Sequence, residues 1–132
     1  MQFTQTLIAM VAACASTASA ISTDATFYNG PLSAGACGYT TYTLPSNIFG
    51  TALGASQWNG GAQCGKCVSV KGPMGNSITA MVVDLCVGCG NGLDLFADGF
   101  SAIGQQADGR INIEYDFVAC PTDNLPSGGN FN

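Results

Sequence analysis

Short runs of β-branched and aromatic residues alternate with polar, glycine-rich stretches along most of the chain. We interpret four runs as strands, at residues 25–28, 67–72, 77–85 and 110–120. The last run is the clearest, because its apolar residues recur at every second position and therefore share one face. These residues are Ile111, Ile113, Tyr115 and Phe117. Glycine and proline at 72–76 predict a hairpin that joins the second and third runs.

A helical pattern is confined to two short segments. Within 95–105 the apolar residues that can share one helix face are Leu95, Phe96, Phe100 and Ile103. We expect Asp98 to cap this helix. A second short helix is expected within 54–61. Short strands with many glycine turns and one or two short helices indicate an all-β fold, either a barrel or a sandwich.

Residues 1–20 predict a signal peptide that is cleaved on secretion. An apolar run, LIAMVAACA, precedes the small-residue cleavage site ASA at 18–20. The run is shorter than the ~20 apolar residues that a membrane span needs. We therefore expect a secreted protein with no membrane segment, a folded domain at 21–120 and a flexible C-terminal tail at 121–132.

Charged residues are few and mostly acidic, with three Lys and Arg against eight Asp and Glu, and there is no histidine. A nucleic-acid partner is not expected, because such binding requires a cationic patch. The absence of histidine excludes Ser-His-Asp and Cys-His nucleophile systems and any histidine-ligated metal. An acidic, glycine-rich surface suits a neutral ligand such as a polysaccharide.

Cleavage after Ala20 removes Cys14 and leaves six cysteines, an even number. Two CxxC pairs, Cys64 with Cys67 and Cys86 with Cys89, have the spacing of a zinc site. We favour disulfides, because the signal peptide directs the chain to an oxidising compartment and because Cys37 and Cys120 also need partners. We expect no metal and no cofactor. Six cysteines allow fifteen pairings, and spacing alone selects none of them.

Asp84 and Asp94 are the candidate working carboxylates, since no acidic residue lies between Asp24 and Asp84. Glycoside hydrolysis normally needs two carboxyl groups with separate roles. Asp84 ends an apolar strand and Asp94 lies between two leucines. The simpler alternative is that either aspartate caps a turn.

An ordered set of motifs resembles the double-psi β-barrel domain of expansin-related proteins, in the barwin and RlpA-like superfamily. The motifs are ATFYNG…GACGY (25–39), TALG (51–54), CGKCVSV (64–70), VVDLCVGCGNGLDLF (82–96) and INIEYDFVAC (111–120). They are similar above all to the single-domain fungal loosenins. The resemblance implies a disulfide-braced, six-stranded barrel with an open groove for polysaccharide. It also implies non-hydrolytic loosening of cellulose or chitin networks.

The resemblance also implies roles for individual residues. Asp84 and Asp94 match the two family aspartates, and Thr26 and Tyr28 match the Thr-x-Tyr start. The expansin histidine is replaced by Gly92. The extra aspartate that related hydrolases carry after the first strand is absent, since Asn29 and Gly30 stand there. The disulfides implied by position are Cys37–Cys64, Cys67–Cys120 and Cys86–Cys89.

Aromatic residues are candidates for stacking against sugar rings. We consider Tyr28, Tyr39, Tyr42 and Trp58, of which Tyr39 and Tyr42 are favoured for exposure and Trp58 is as well explained by packing. Asn29, Gln63 and Asn91 are unranked candidates for contacts with sugar hydroxyls. The leading hypothesis is a secreted, monomeric polysaccharide-loosening protein. The alternatives are a cysteine-protease inhibitor or effector on the same barrel and, less favoured, a weak glycan-lytic enzyme.

Overall fold

Six strands close into a barrel in the computed structural model, which describes residues 20–30, 35–39 and 44–121. The order around the barrel is β1-β5-β2-β4-β3-β6. The strands are β1 Ile21–Tyr28, β2 Phe49–Gly54, β3 Cys67–Lys71, β4 Ser77–Cys86, β5 Leu93–Phe96 and β6 Ile111–Val118. The prediction of an all-β, six-stranded barrel is confirmed.

The barrel mixes parallel and antiparallel pairs. β1 runs parallel to β5, and β2 runs parallel to β4, whereas the other four pairs are antiparallel. The predicted hairpin at 72–76 joins β3 to β4, and the N–H of Gly72 donates to the carbonyl of Asn76 at 3.2 Å. Crossing connections therefore bring β5 between β1 and β2, which places residues 25–28 of β1 beside residues 93–96.

β2 is a strand that the hydrophobic pattern did not predict. Five of its six residues are buried, and it lies between β4 and β5 in the middle of the sheet. A strand buried on both faces has no alternation of polar and apolar residues, so periodicity does not reveal it. The small residues of its FGTALG sequence also lack the bulk typical of strands.

Two short α-helices accompany the barrel. α1 covers Ala55–Trp58 and continues into a 3-10 turn at Asn59–Gly61, as expected for 54–61. α2 covers Ala97–Ile103, and a 3-10 turn follows at Gln106–Asp108. The expected helix face was partly wrong, because Leu95 and Phe96 belong to β5. The cap was also wrong. Phe96 is the N-cap, and the Asp98 carboxylate in the first turn accepts the N–H of Gly99.

Alternate residues of the strands fill the barrel interior. Ile111, Ile113 and Tyr115 are buried, and Phe117 packs against the same core, so the predicted face of β6 is confirmed. Among the described residues the largest fully buried side chains are Tyr39, Tyr115, Phe100, Leu53, Met81, Leu93, Leu95 and Ile103. This apolar interior stabilises the barrel and leaves function to its outer surface.

Three disulfides brace the barrel, and they are the ones that the resemblance implied. They join Cys37 to Cys64, Cys67 to Cys120 and Cys86 to Cys89. All six cysteines of the expected domain are therefore oxidised, and none is left as a thiolate ligand for zinc. The third disulfide closes the loop between β4 and β5.

Several predictions lie outside the described residues. They concern the signal peptide, apart from Ala20, and the tail from residue 122 onward. No helix in the described part of the chain is long and apolar enough to cross a membrane.

Candidate functional site

Four residues on neighbouring strands form a lateral row on the outward side of the barrel sheet, in which Ala52 is buried and the other three are half-buried. Thr26 of β1 pairs with Asp94 of β5, Asp94 pairs with Ala52 of β2, and Ala52 pairs with Asp84 of β4. Residues paired in this way project from the same face of a sheet. We call this set the carboxylate row. The two aspartates lie about two strand spacings apart, or about 9–10 Å between Cα atoms, and the methyl group of Ala52 lies between them.

A β-bulge in β4 brings Asp84 into this row. Thr51 pairs with Val82 and Ala52 pairs with Asp84, so Val83 is an extra residue without a partner on β2. Both Val82 and Val83 are buried, whereas Asp84 is half-buried. Because side chains alternate between faces, regular pairing would place Asp84 opposite the buried Leu53, whereas the bulge places it opposite Ala52. The bulge thus allows the strand to bury both valines and still present Asp84 on the outside.

Three donors hold the Asp84 carboxylate. Its Oδ1 accepts the N–H groups of Ala36 and Leu85, each at 2.8 Å, and its Oδ2 accepts the hydroxyl of Tyr28 at 2.8 Å. Gly35 makes the Ala36 contact possible, because a Cβ atom at Gly35 would collide with the Val83 carbonyl. Asp84 therefore ties the segment at 35–36 to the barrel and positions Tyr28.

Asp94 is held much more loosely. Its Oδ1 accepts the Thr26 hydroxyl at 2.7 Å, and its backbone carbonyl accepts the buried Thr51 hydroxyl at 3.2 Å. Among the residues that the structure describes, none donates to Oδ2. Asp94 thus has a fixed orientation and an oxygen that is available to an incoming donor.

Tyr28 connects the two sides of the row. Its hydroxyl reaches Asp84, and its ring meets that of Phe96 edge to face with centroids 5.5 Å apart. Burial raises the pKa of Tyr28 well above its usual range, and the hydrogen bond to Asp84 and the charges of Asp84 and Asp94 raise it further. Tyr28 is therefore a permanent hydrogen-bond donor at physiological pH and not a base.

Glycines provide space for the aromatic pair. A Cβ atom at Gly50 would lie 2.5 Å from the ring of Phe96, and one at Gly30 would collide with both rings. A cavity of about 510 Å³ opens beside this pair. Its lining consists of Tyr28, Asn29, Gly30, Phe96, Ala97 and Asp98. The outer surface thus carries an apolar aromatic strip directly beside the carboxylate row, and we call the two together the carboxylate face.

A second cavity, of about 570 Å³, lies over β1, β6 and the end of β3. Its charged residues are Asp24, Lys71 and Glu114, and it has no aromatic lining residue. Lys71 and Glu114 are directly paired across β3 and β6, and Arg110 forms a 3.2 Å salt bridge with Asp24. We call this surface the balanced face, because acidic and basic side chains occur together on it.

The structure brings Thr26, Tyr28, Asp84 and Asp94 together. Tyr39 is only 1% exposed and belongs to the core, so the expected exposure of Tyr39 was wrong. Burial raises the pKa of Tyr39 to about 12. Tyr42 lies outside the described residues. Trp58 ends α1 half-buried against the core, which leaves its binding role a prediction.

The polar candidates also differ in position. Asn29 lines the cavity beside the aromatic pair. Asn91 accepts the Thr23 hydroxyl through its side chain and the Tyr115 hydroxyl through its backbone, so it connects the loop after β4 to β1 and β6. Burial raises the pKa of Tyr115 to about 12.

Sequence reasoning missed three contributors to the site. They are the ring of Phe96, the Ala36 N–H and the methyl group of Ala52. Phe96 was assigned to a helix, and backbone donors and small spacers carry no sequence signal of their own. No group of three or more His, Cys, Asp or Glu in the described part of the chain is arranged to hold a metal ion.

Comparison with known proteins finds a family profile and curated relatives that match the chain. The Barwin family profile matches residues 48–120. Expansin-like protein 5 of Dictyostelium discoideum is 35% identical over 105 residues, which cover 73% of this chain and 44% of that protein. The chain thus spans less than half the length of this curated relative.

Two solved structures share the barrel. A mutant expansin of Clavibacter michiganensis in complex with cellohexaose matches with a TM-score of 0.66 and 30% identity, over 80% of this chain and 54% of that one. Streptomyces papain inhibitor matches with a TM-score of 0.61 and 25% identity, over 75% of this chain and 94% of that one.

Proposed function

The chain belongs to the Barwin family, and we propose that it is a secreted, expansin-like protein that binds cell-wall polysaccharide and loosens it without hydrolysis. The expansin-like relatives and the structural match to an expansin bound to cellohexaose support a polysaccharide ligand. We extend the proposal to cellulose and chitin as substrates. We also propose a signal peptide at 1–20, a barrel domain at 21–120 and a monomeric state.

The observation that carries the proposal is the open Oδ2 of Asp94 beside the Tyr28 and Phe96 rings. Sugar rings offer hydroxyl donors around their edges and apolar C–H surfaces on their faces. A carboxylate next to an aromatic strip is complementary to both, since charged acceptors form strong hydrogen bonds and rings pack against C–H groups. Thr26 keeps the Asp94 carboxylate oriented while Oδ2 accepts a sugar hydroxyl.

Within the carboxylate row, Asp94 is the one carboxylate with an open oxygen, and this supports a non-hydrolytic mode. Hydrolysis needs one carboxyl group as acid and another as base or nucleophile. Asp84 is the nearest candidate, but both of its oxygens hold Tyr28 and the backbone. No acidic residue occurs between Asp24 and Asp84. We propose that contacts along the carboxylate face compete with hydrogen bonds between polysaccharide chains. The chains then separate, and no covalent bond breaks.

The test is to incubate the protein with cellulose and chitin, and to measure both network strength and released reducing ends. We expect weaker networks with no steady release of sugar, and we expect Asp94→Asn to lower the effect about tenfold, the loss of one charged contact. Asp108→Asn removes an acid of the 3-10 turn and serves as a matched control. Steady sugar release indicates the lytic enzyme instead, and no weakening on either polymer contradicts the proposal.

A second candidate function is inhibition of a cysteine protease, which the match to Streptomyces papain inhibitor supports. The specific observation is Val87, which is 78% exposed in the loop that the Cys86–Cys89 disulfide closes. An exposed apolar residue on a constrained loop binds a cleft with little loss of conformational entropy.

The two candidates make opposite predictions for two variants. If the protein inhibits a protease, Val87→Asp removes papain inhibition and Asp94→Asn preserves it. If the protein binds polysaccharide at the carboxylate row, Asp94→Asn lowers glycan binding and Val87→Asp has little effect. Measurement of papain activity and cellulose binding on both variants distinguishes them.

A further inference from the structure

Positive and negative side chains are unevenly distributed over the barrel. The chain has only three cationic side chains, Lys66, Lys71 and Arg110, and all three lie in the described part of the structure. Arg110 pairs with Asp24, and Lys71 lines the cavity on the balanced face. Lys66 lines a different groove, beside the Cys67–Cys120 disulfide. Within the described residues, no cation forms a salt bridge with Asp84 or Asp94.

The carboxylate face therefore carries negative charge that the protein itself does not neutralise. Asp84 and Asp94 share the row, and Asp98 lines the adjacent cavity. The hydrogen bonds to Asp84 come from neutral groups, which orient the carboxylate without cancelling its charge. Asp94 has an oxygen that no described residue occupies. The face thus matches a ligand with cationic hydrogen-bond donors.

The aromatic strip reinforces this selectivity. The Tyr28 and Phe96 rings lie edge to face beside the row. Ring faces attract ammonium groups as well as the C–H surface of a sugar. A sugar that carries an ammonium group can therefore stack on the strip and donate to the Asp94 Oδ2 at the same time, whereas a neutral sugar offers Asp94 only a hydroxyl.

We infer that the carboxylate face selects polysaccharides with free amino groups, such as a partly deacetylated amino-sugar polymer, over neutral polymers and against acidic ones. The inference rests on the proposed function and names the substrate class of the same carboxylate face. An acidic polymer is disfavoured because its carboxylates are repelled by Asp84, Asp94 and Asp98, with which no described cationic side chain forms a salt bridge. A neutral polymer binds through stacking and hydroxyl contacts alone.

The experiment compares hexasaccharides of glucose, N-acetylglucosamine, glucosamine and galacturonic acid in mildly acidic buffer, in which the glucosamine amines are protonated. Calorimetry on the wild-type protein should show the glucosamine hexamer binding at least about tenfold more tightly than the N-acetylated hexamer. The difference should shrink in high salt, which screens charge interactions. The galacturonic acid hexamer should bind most weakly.

Two variants distinguish a specific site from general attraction by an acidic protein. Asp94→Asn and Asp108→Asn remove the same charge, but Asp108 lies in the 3-10 turn after α2. Asp94→Asn should reduce the preference for the glucosamine hexamer to about twofold or less, and Asp108→Asn should leave it nearly intact. Thermal unfolding of both variants checks that they are folded.

The outcomes separate this inference from the proposed function. Equal affinity for the glucosamine and N-acetylated hexamers overturns the inference and leaves polysaccharide binding in place. An equal loss of preference in both variants also overturns it, because the attraction then belongs to the net charge. If none of the four hexamers binds, the inference and the proposed function fail together.

Discussion

The carboxylate face and the balanced face have cavities of similar volume, about 510 and 570 Å³, but very different chemistry. On the balanced face, Asp24 already has a partner in Arg110, and Glu114 lies opposite Lys71. On the carboxylate face, two aspartates share a row with no basic residue, beside two aromatic rings. The balanced face carries acidic and basic side chains next to each other, and the carboxylate face keeps acceptor capacity for a ligand.

The volume of a cavity is therefore a poor guide to function on a small barrel. The larger cavity has no aromatic surface for stacking, and both acidic and basic residues line it. The smaller cavity adjoins a backbone bulge, close-approach glycines and an open carboxylate oxygen. Such features cost stability, and proteins tend to retain them at functional sites. They therefore mark the functional face more reliably than cavity size does.

The largest expected effect is a loss of stability from Asp84→Ala. This change removes the acceptor for Tyr28 and for two backbone N–H groups, and we expect the free energy of unfolding to fall by about 1.5–3 kcal/mol. Asp94→Ala removes one hydrogen bond and should cost about 0.5–1.5 kcal/mol. Glu114→Ala on the balanced face should stay within about 0.5 kcal/mol. Urea unfolding measures all three, and equal losses would remove the distinction between the two aspartates.

The next effect concerns the aromatic strip. Gly50→Ala places a methyl group against the ring of Phe96 and should destabilise the barrel by about 1–3 kcal/mol. It should also weaken glycan binding, because the ring moves out of the strip. Gly88→Ala is the control, since a Cβ atom at Gly88 meets nothing within 4 Å. If Gly50→Ala binds cellulose as the wild type does, stacking on Phe96 is not part of the site.

A further effect, which is absent at neutral pH, appears in alkaline solution. Tyr39 and Tyr115 have pKa values raised to about 12 in the folded protein, and the Tyr28 pKa is also raised. The unfolded chain releases tyrosine protons near pH ~10 and the folded chain retains them. Stability should therefore be fully present below about pH 10 and decline as the pH rises through the folded values. Denaturant midpoints over this range measure the decline.

The same titration tests the role of Asp84 on the carboxylate face. Tyr28 should ionise after Tyr39 and Tyr115, because it alone combines burial with two nearby carboxylates. Asp84→Asn should lower the Tyr28 pKa, since it removes a charge that opposes the phenolate. Phenolate absorbance of this variant, assigned by comparison with Tyr28→Phe, gives the result. An unchanged Tyr28 titration would contradict the role of Asp84.

Much of the barrel was accessible from the sequence. Alternation in β6 and the turn residues at 72–76 predicted the correct structure, because both signals are local. The disulfide pairing and the association of Thr26, Tyr28, Asp84 and Asp94 came from family resemblance. Spacing alone does not encode which distant residues meet across a barrel.

The errors have physical causes. Leu95 and Phe96 fit a helix face with Phe100, but pairing with β1 and β2 places them in a strand. Tyr39 was favoured for exposure because it lies in or beside a glycine-rich loop, yet it fills the core. In both cases tertiary contacts determine the structure, and these contacts cannot be predicted from a short window of sequence.

The bulge at Val83 decides the side of the barrel on which Asp84 emerges. Regular pairing through Val83 would place Asp84 opposite the buried Leu53, so the carboxylate would point into the apolar interior although every functional side chain would still be encoded. Deletion of Val83 would remove the bulge and keep Asp84 opposite Ala52, on the outward side. The face that carries Asp84 is therefore set by strand pairing, so identical residues at the functional positions do not by themselves guarantee the same site in a related barrel.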